Sequence, residues 1–356
     1  MHKQYMIVAL QQAWLGRGLC APNPSVGAVV VQNDKIISMA WHQGPGNAHA
    51  ERAALQKLAP DLKELTLYVT LEPCNHWGRT PPCVSIILEY DVKRVVYAYR
   101  DPNPVVAGND TPKLLAEQGI EVIYYPLPEI VDFYQSYLHW TLSHKPWVTA
   151  KIAQTLDGKI ADVDGERLAL SNDKCALITH EHRWRTDVIL TSAKTVVNDN
   201  PLFNARINGK IQSKVIAIID ARLSINAESQ LFTQARHCHI YYDNNVIIDK
   251  KLPKCSYHPV KSSNGRLDLS AIIDHLGSLG FHDVWVETGG ELFSALHAQG
   301  LINKTYLYIV PKILGEKATN AYHNDIFEHP YKLSWEGQAD NMVACIEWQE
   351  DRCLQD

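Results

Sequence analysis

Residues 27–42 read GAVVVQNDKIISMAWH, and this stretch decides how the first half of the chain folds. Two β-rich runs flank Asn33-Asp34, a dipeptide suited to a tight turn, so the pattern predicts a hairpin of two antiparallel strands. Upstream, residues 5–15 have helical spacing. Downstream, the alternation predicts a helix over about 48–58, a strand over 65–71 and a helix opening at Pro81-Pro82. A strand over 94–99, a helix near 112–118, a strand over 122–125 and a helix over 126–145 follow. A hairpin leading into this rhythm implies a mixed sheet with helices on both faces. The break at His144-Lys145-Pro146 starts a second series. Its strands are expected at 147–152, 188–191, 214–220, 239–242, 284–287 and 305–309, and its helices at 173–184, 269–277 and 291–299. At 356 residues the chain is long for one core. The expectation is therefore two α/β domains, residues 1–145 and 146–356.

Composition narrows the function. The chain is 46% hydrophobic and 21% charged, which is ordinary for a folded protein and argues against disorder. No run of 18 apolar residues is present, so no membrane partner is expected. The first residues are too polar beyond residue 10 for a signal peptide. The net charge of −5, without a basic block, disfavours nucleic acid as a partner. Eight cysteines are too few for a disulfide scaffold. Reduced thiols in the cytoplasm are expected, with a small molecule as substrate.

The strongest chemical signal is His49-Ala50-Glu51, followed by Pro73-Cys74 and then Cys83. One imidazole and two thiolates make a soft donor set that suits zinc. Three ligands leave an open position for water, whose pKa zinc lowers. Glu51, two residues beyond His49, can stand beside the metal and carry protons without binding it. Cys83 follows a helix-opening Pro-Pro pair, so its thiolate is expected in a first helical turn, where backbone amides favour an anion. H-x-E with P-C and a second Cys matches the zinc deaminase signature. The usual P-C-x-x-C is here opened to eight intervening residues. Two rival readings share this ligand set. A deaminase of nucleic-acid bases would need a basic channel and no second domain. A non-catalytic protein with structural zinc would need a fourth ligand, for which His76 is the nearby candidate.

Together PNPSVGAVVV (22–31), HAER (49–52), TLEPCNHWGRTPPC (70–83) and DPNPVVAG (101–108) resemble the bifunctional riboflavin-biosynthesis deaminase/reductase family, and the resemblance runs along essentially the whole chain. It implies a cytidine-deaminase-like first domain that hydrolyses an exocyclic amine of a phosphoribosylaminopyrimidine. By this resemblance His49, Cys74 and Cys83 hold one zinc ion, Glu51 shuttles protons and Asn23 hydrogen-bonds the pyrimidine. His76 and Arg79 would meet the phosphoribosyl arm.

The second half carries KIAQTLDGKIA (151–161), the stretch Arg183–Thr195, Asp199-Asn200-Pro201 and Glu287-Thr288-Gly289-Gly290. The G-x-G-x-x-G fingerprint is absent, so an ordinary Rossmann domain is not expected. These motifs resemble the family's reductase domain, with a dihydrofolate-reductase-like α/β fold that uses NADPH to reduce the opened ribosyl group to ribityl. The resemblance places Ala153, Asp157, Ala169, Thr195 and Asp199 on the cofactor. Gly289, Gly290, Glu291, Leu292, Phe293, Ser294 and Ala295 fall on the pyrophosphate turn. Arg167, Arg183, Phe203, Arg206 and Glu287 fall on the substrate, and Lys151 is a candidate catalytic group. Arg167-Leu168-Ala169 stands where the family often has Ser-x-Trp, which is expected to reshape cofactor binding while the reductase stays active. A homo-oligomer, dimer or tetramer, is also implied.

Overall fold

The computed structural model describes residues 1–78, 80–108, 110–162, 170–249, 251–323 and 330–349. The chain divides into two compact units, Met1–His144 and Lys145–Asp356.

In the first unit, strands Gly27–Gln32 and Lys35–Trp41 form the hairpin, with Asn33 and Asp34 at φ 48° and 59°, the left-handed values of a two-residue turn. Gly27–Gln32 also pairs antiparallel with Leu65–Val69, which runs parallel to Val92–Tyr97, itself parallel to Glu121–Tyr124. The result is the expected mixed five-stranded sheet. Helix His2–Gly16 buries Tyr5, Met6, Ala9, Leu10 and Ala13 against it. That contact is so close that a Cβ on Gly27 would lie 2.0 Å from the Ala9 carbonyl oxygen. Helix Ala50–Leu55 is shorter than expected, and His49 caps its N-terminus instead of lying inside it.

The second unit is built on a nine-stranded sheet. From edge to edge its strands are Cys255–Val260, His237–Asp243, Val215–Ile219, Val188–Ser192, Asp283–Glu287, Trp147–Thr155, Lys304–Val310, Asn341–Trp348 and Tyr331–Gln338. The first seven are mutually parallel and the last two form an antiparallel hairpin. Both faces are covered, as parallel strands require. Val188, Leu190, Val215 and Ala217 join one core, while Ile189, Ile216 and Ile218 alternate into the other. The strand order reverses around Trp147–Thr155, Asp283–Glu287 and Val188–Ser192, and ligands of open α/β sheets bind at the carboxyl ends of strands where this happens. The expected strands and helices of this unit are present. Strand Cys255–Val260 and the hairpin 331–348 go beyond the sequence-based expectation.

Candidate metal centre and reductase cleft

His49, Cys74 and Cys83 reach one point from three elements. His49 precedes its helix, Cys74 follows strand Leu65–Val69, and Cys83 is the first residue of helix Cys83–Glu89. Their donor atoms lie within 4.8 Å of one another. His49 Nδ1 is 3.3 Å from Cys83 Sγ and 3.5 Å from Cys74 Sγ. Cys74 Sγ also accepts from the Cys83 amide at 3.4 Å. Hydrogen bonding to Cys83 brings the Cys74 thiol down to about 4, against the opposing effect of burial. Cys83, donor in that pair and fully buried, moves up. Two sulfurs and an imidazole thus converge within hydrogen-bonding reach of one another, and a soft cation suits the same donors.

Glu51 is buried beside them, and burial raises its carboxyl against the opposing pull of His49. A raised carboxyl near thiolates is the electrostatic setting of a proton carrier. Asn23 lies after the cis Ala21-Pro22 bond, and its Nδ2 sits 3.1 Å from His42 Nε2. The His42 ring meets that of His49 edge-on at 5.3 Å. Sequence reasoning missed His42, whose only signal was its place at the hairpin's end. It also missed a chemical role for Asp101. Burial lifts this carboxyl to about 6, and Tyr137 and the Asn103 amide donate to it. His76 Nδ1 is buried with no hydrogen-bond partner among the described residues, so the ring has a donor or acceptor position open to a ligand. Arg79 lies outside the described residues.

In the second unit, Lys151 and Glu287 are register partners on adjacent parallel strands. Arg183, from helix Asp173–Arg185, grips Glu287 with two bonds, Nε at 2.5 Å and a terminal nitrogen at 2.8 Å. Trp285 Nε1 donates to the same carboxylate at 2.8 Å. Burial works to raise Glu287, but the Arg183 charge prevails and holds it at about 2. Burial lowers the Lys151 ammonium, opposed by Glu287. The Arg183 guanidinium lies over the Phe203 ring at 5.4 Å, and Arg206 bonds Asn204 at 2.9 Å. Lys151, Arg183, Phe203, Arg206 and Glu287 are therefore drawn into one neighbourhood.

The cofactor positions divide into two groups. Ser192 caps helix Ala193–Asp199 by accepting from the Thr195 amide, and Thr288 donates to Ser192 at 3.3 Å. Two helix starts, at Ser192 and Gly289, thus stand side by side at the ends of neighbouring strands. A Cβ on Gly289 would meet nothing within 4 Å, which leaves room for a phosphate. Gly290 has no such freedom, because the backbone at Asn320 and Ala321 presses on it. Asp199 acts on Lys151 electrostatically.

Other side chains face elsewhere. Glu291 pairs with Arg266 at 3.5 Å and is exposed, Phe293 is in the core, and Ser294 accepts from the His323 amide. Leu292 and Ala295 pack on that core and Ala153 on the Cys175–Tyr308 cluster, leaving backbone groups as their means of contact. Asp157 takes hydrogen bonds from Thr155 and the Gly315 amide, so it secures a loop. Arg167 and Ala169 lie outside the described residues.

These two units define a zinc deaminase joined in one chain to a nucleotide-dependent reductase. The family described as the cytidine and deoxycytidylate deaminase zinc-binding region matches residues 1–99, and the RibD C-terminal domain matches residues 146–334. The riboflavin biosynthesis protein RibD of Actinobacillus pleuropneumoniae is 34% identical over 324 residues, covering 88% of this chain and 84% of that protein. RibD of Escherichia coli is 30% identical, covering 88% and 89%. Among solved structures, a Thermotoga maritima diaminohydroxyphosphoribosylaminopyrimidine deaminase/5-amino-6-(5-phosphoribosylamino)uracil reductase superposes with a TM-score of 0.84 at 29% identity. It covers 98% of this chain and 99% of that one, as does Acinetobacter baumannii RibD, also at 0.84, with 26% identity.

The chain belongs to the RibD family. It is an enzyme of riboflavin biosynthesis with deaminase and reductase activities, a cytidine-deaminase-like domain and a RibD-type reductase domain. Zinc serves the first domain and NADPH the second. No described helix is long and apolar enough to cross a membrane.

Proposed function

We propose that residues 1–145 deaminate 2,5-diamino-6-(5-phosphoribosylamino)pyrimidin-4(3H)-one and that residues 146–356 then reduce its ribosyl group to ribityl. The observation that carries the first step is the convergence of His49, Cys74 and Cys83 beside a buried Glu51. In this reading the three donors hold zinc, which supplies Lewis acidity toward water. Glu51 takes the proton released as water attacks the ring carbon and passes it to the departing amine. Asn23, oriented by His42, hydrogen-bonds the pyrimidine, and His76 and Arg79 receive the phosphoribosyl arm.

For the second step NADPH supplies hydride to the opened sugar. Amides at Gly289 to Glu291 receive the cofactor's phosphates, with Thr195, Asp199, Ala153, Ala169 and Leu292 to Ala295 along it and Asp157 steadying the 313–315 loop. Arg183, Arg206 and Arg167 bind the substrate with Phe203 and Glu287. Lys151, half-buried and flanked by Glu287, donates the proton that the ring oxygen takes up as the C1–O bond breaks and the sugar opens to the iminium that accepts the hydride. The reading further takes the chain to be cytoplasmic, in keeping with seven free cysteines among the described residues, to be a homo-oligomer, and not to bind nucleic acid. Supplying the phosphorylated diaminopyrimidine and following ammonia release and NADPH oxidation separately tests it. Absence of either half-reaction on its proper substrate overturns the corresponding half of the proposal.

A further inference from the structure

Cys238 and Cys255 are register partners on the two outermost parallel strands of the nine-stranded sheet, His237–Asp243 and Cys255–Val260. Directly paired residues of neighbouring strands point to the same face, so both thiols join the core that contains Leu231 and Ala235. There they hydrogen-bond each other. Their exposure differs: Cys238 is buried, while Cys255 is half-buried and partly open to solvent. Cys255 also begins an edge strand, which has a neighbour on one side alone among the described residues. The remaining thiols with strand or metal-site positions are placed otherwise. Cys345 faces Tyr306 and Ser334 across its two strand pairs, and Cys74 and Cys83 belong to the metal centre. A single buried cysteine is ordinarily a small core residue. Two thiols in mutual contact, one sealed and one open, at the start of the least-held strand do more than fill space.

We propose that this pair is a redox modification site, at which a hydroperoxide oxidises Cys255 and Cys238 resolves the product to a disulfide. In the first step the Cys255 sulfur attacks one peroxide oxygen. The S–O bond forms as the O–O bond breaks, and the departing hydroxide takes a proton and leaves as water. In the second step the Cys238 sulfur attacks the Cys255 sulfenic acid. The S–S bond forms, the S–O bond breaks, and hydroxide leaves with the Cys238 proton as a second water. Two thiols thus lose two electrons to one peroxide, and a small dithiol reverses the change. Neighbouring strands lie about 4.8 Å apart, inside the span of roughly 4.4–6.8 Å between Cα atoms that a disulfide bridges. The roles are asymmetric for a physical reason. The hydrogen bond from Cys238 lowers the Cys255 thiol against the opposing effect of burial, and the same bond, with burial, raises Cys238. The thiolate is the nucleophile, so the open member attacks and the sealed member resolves. Exposed Lys254 adjoins them and its carbonyl accepts from the Cys238 amide at 2.9 Å. The bridge would pin the edge strand at its first residue and close the 244–254 connection into a covalent loop. This inference is independent of either catalytic step.

The test treats the zinc-loaded full chain with hydrogen peroxide, blocks the remaining thiols and maps the peptides by mass spectrometry. The parent should lose two thiols per chain and yield a peptide joining Cys238 to Cys255, and dithiothreitol should restore both thiols. The melting temperature of the oxidised second unit should rise by roughly 6–12 °C, the effect of closing a loop of this length in a domain of this size. Cys238→Ala should leave Cys255 without a resolving thiol, so dimedone, which traps sulfenic acids, should label Cys255 in that variant and not in the parent. Cys255→Ser should lose the bridge, the dimedone label and the shift in melting temperature. Reduced samples of both variants should keep parent circular dichroism and both half-reactions; the parent's peptide map decides by itself if a variant does not fold. No Cys238–Cys255 peptide in the parent, first oxidation at Cys238, or oxidation confined to Cys74 and Cys83 would overturn the proposal. Failure of either catalytic step would leave these readouts untouched.

Discussion

Replacing Glu287 with Gln tests how the reductase cleft is held together. The side chain is nearly isosteric, so the change removes charge and one acceptor without opening a cavity. In the native protein Glu287 accepts from Arg183 twice and from Trp285 once, with both ion-pair partners little exposed. Two routes give the size of the loss. Breaking a buried pair strands the remaining charge and costs about 3–5 kcal/mol. Independently, holding the carboxyl at about 2 instead of its ordinary 4.5 corresponds to about 3 kcal/mol. For a domain of this size that lowers the melting temperature of the second unit by roughly 6–20 °C.

The pH dependence has a definite sign. The folded carboxyl titrates lower than the unfolded one, so its stabilisation is complete above about 4.5 and is lost as pH falls toward 2. Calorimetry at neutral pH, with NADPH oxidation and ammonia release followed on the same samples, should show a destabilised second unit, slower reduction and unchanged deamination. A Glu287→Gln variant that melts with the parent and reduces at the parent rate would refute the reasoning that this clamp organises the cleft.

Burial brings Lys214 down to about 7 from 10.5. Between those values the unfolded chain binds the extra proton, so the native residue favours stability increasingly as pH rises. Lys214→Met should therefore gain stability over the parent at pH 6 and lose much of that gain by pH 9, read as melting temperatures. Gly289→Ala should leave melting unchanged but raise the KM for NADPH on the order of tenfold, about 1.4 kcal/mol. Gly290→Ala, whose Cβ would lie 2.4 Å from the Ala321 carbonyl oxygen, should instead destabilise the second unit by about 1–3 kcal/mol. Cys83→Ser should reduce bound zinc from one per chain to near zero by metal analysis and abolish ammonia release, with NADPH oxidation on deaminated substrate retained.

Local chemistry explains what was legible beforehand. The hairpin could be read at Asn33-Asp34 because few residues tolerate its left-handed turn. The parallel strands could be read because burial on both faces leaves continuous apolar runs such as Val215–Ile219. Strand Cys255–Val260 is half-buried, polar and interrupted by a proline, so it lacks both signals. The outer strand 331–338 is solvent-exposed on both faces and shows no burial period.

The site divides the same way. His49, Glu51, Cys74 and Cys83 announce themselves because metal chemistry restricts residue type and their spacing is short. His42 acts through a ring contact made by a loop, which leaves no periodic trace. The Arg183–Glu287 clamp joins residues 104 positions apart, and no spacing rule links them. Its residues could be picked out by family resemblance, but their bond to each other could not.

The most direct measurement for the whole account is the pair of half-reactions in a Glu51→Gln variant. Gln keeps the volume and removes the titrating group, so zinc should remain at one per chain. Ammonia release should fall by about two to four orders of magnitude, the usual contribution of a positioned proton carrier, while NADPH oxidation on deaminated substrate stays at the parent rate. Undiminished ammonia release, or joint loss of both activities with zinc and folding intact, would contradict two separable steps on one chain with Glu51 carrying the protons of the first.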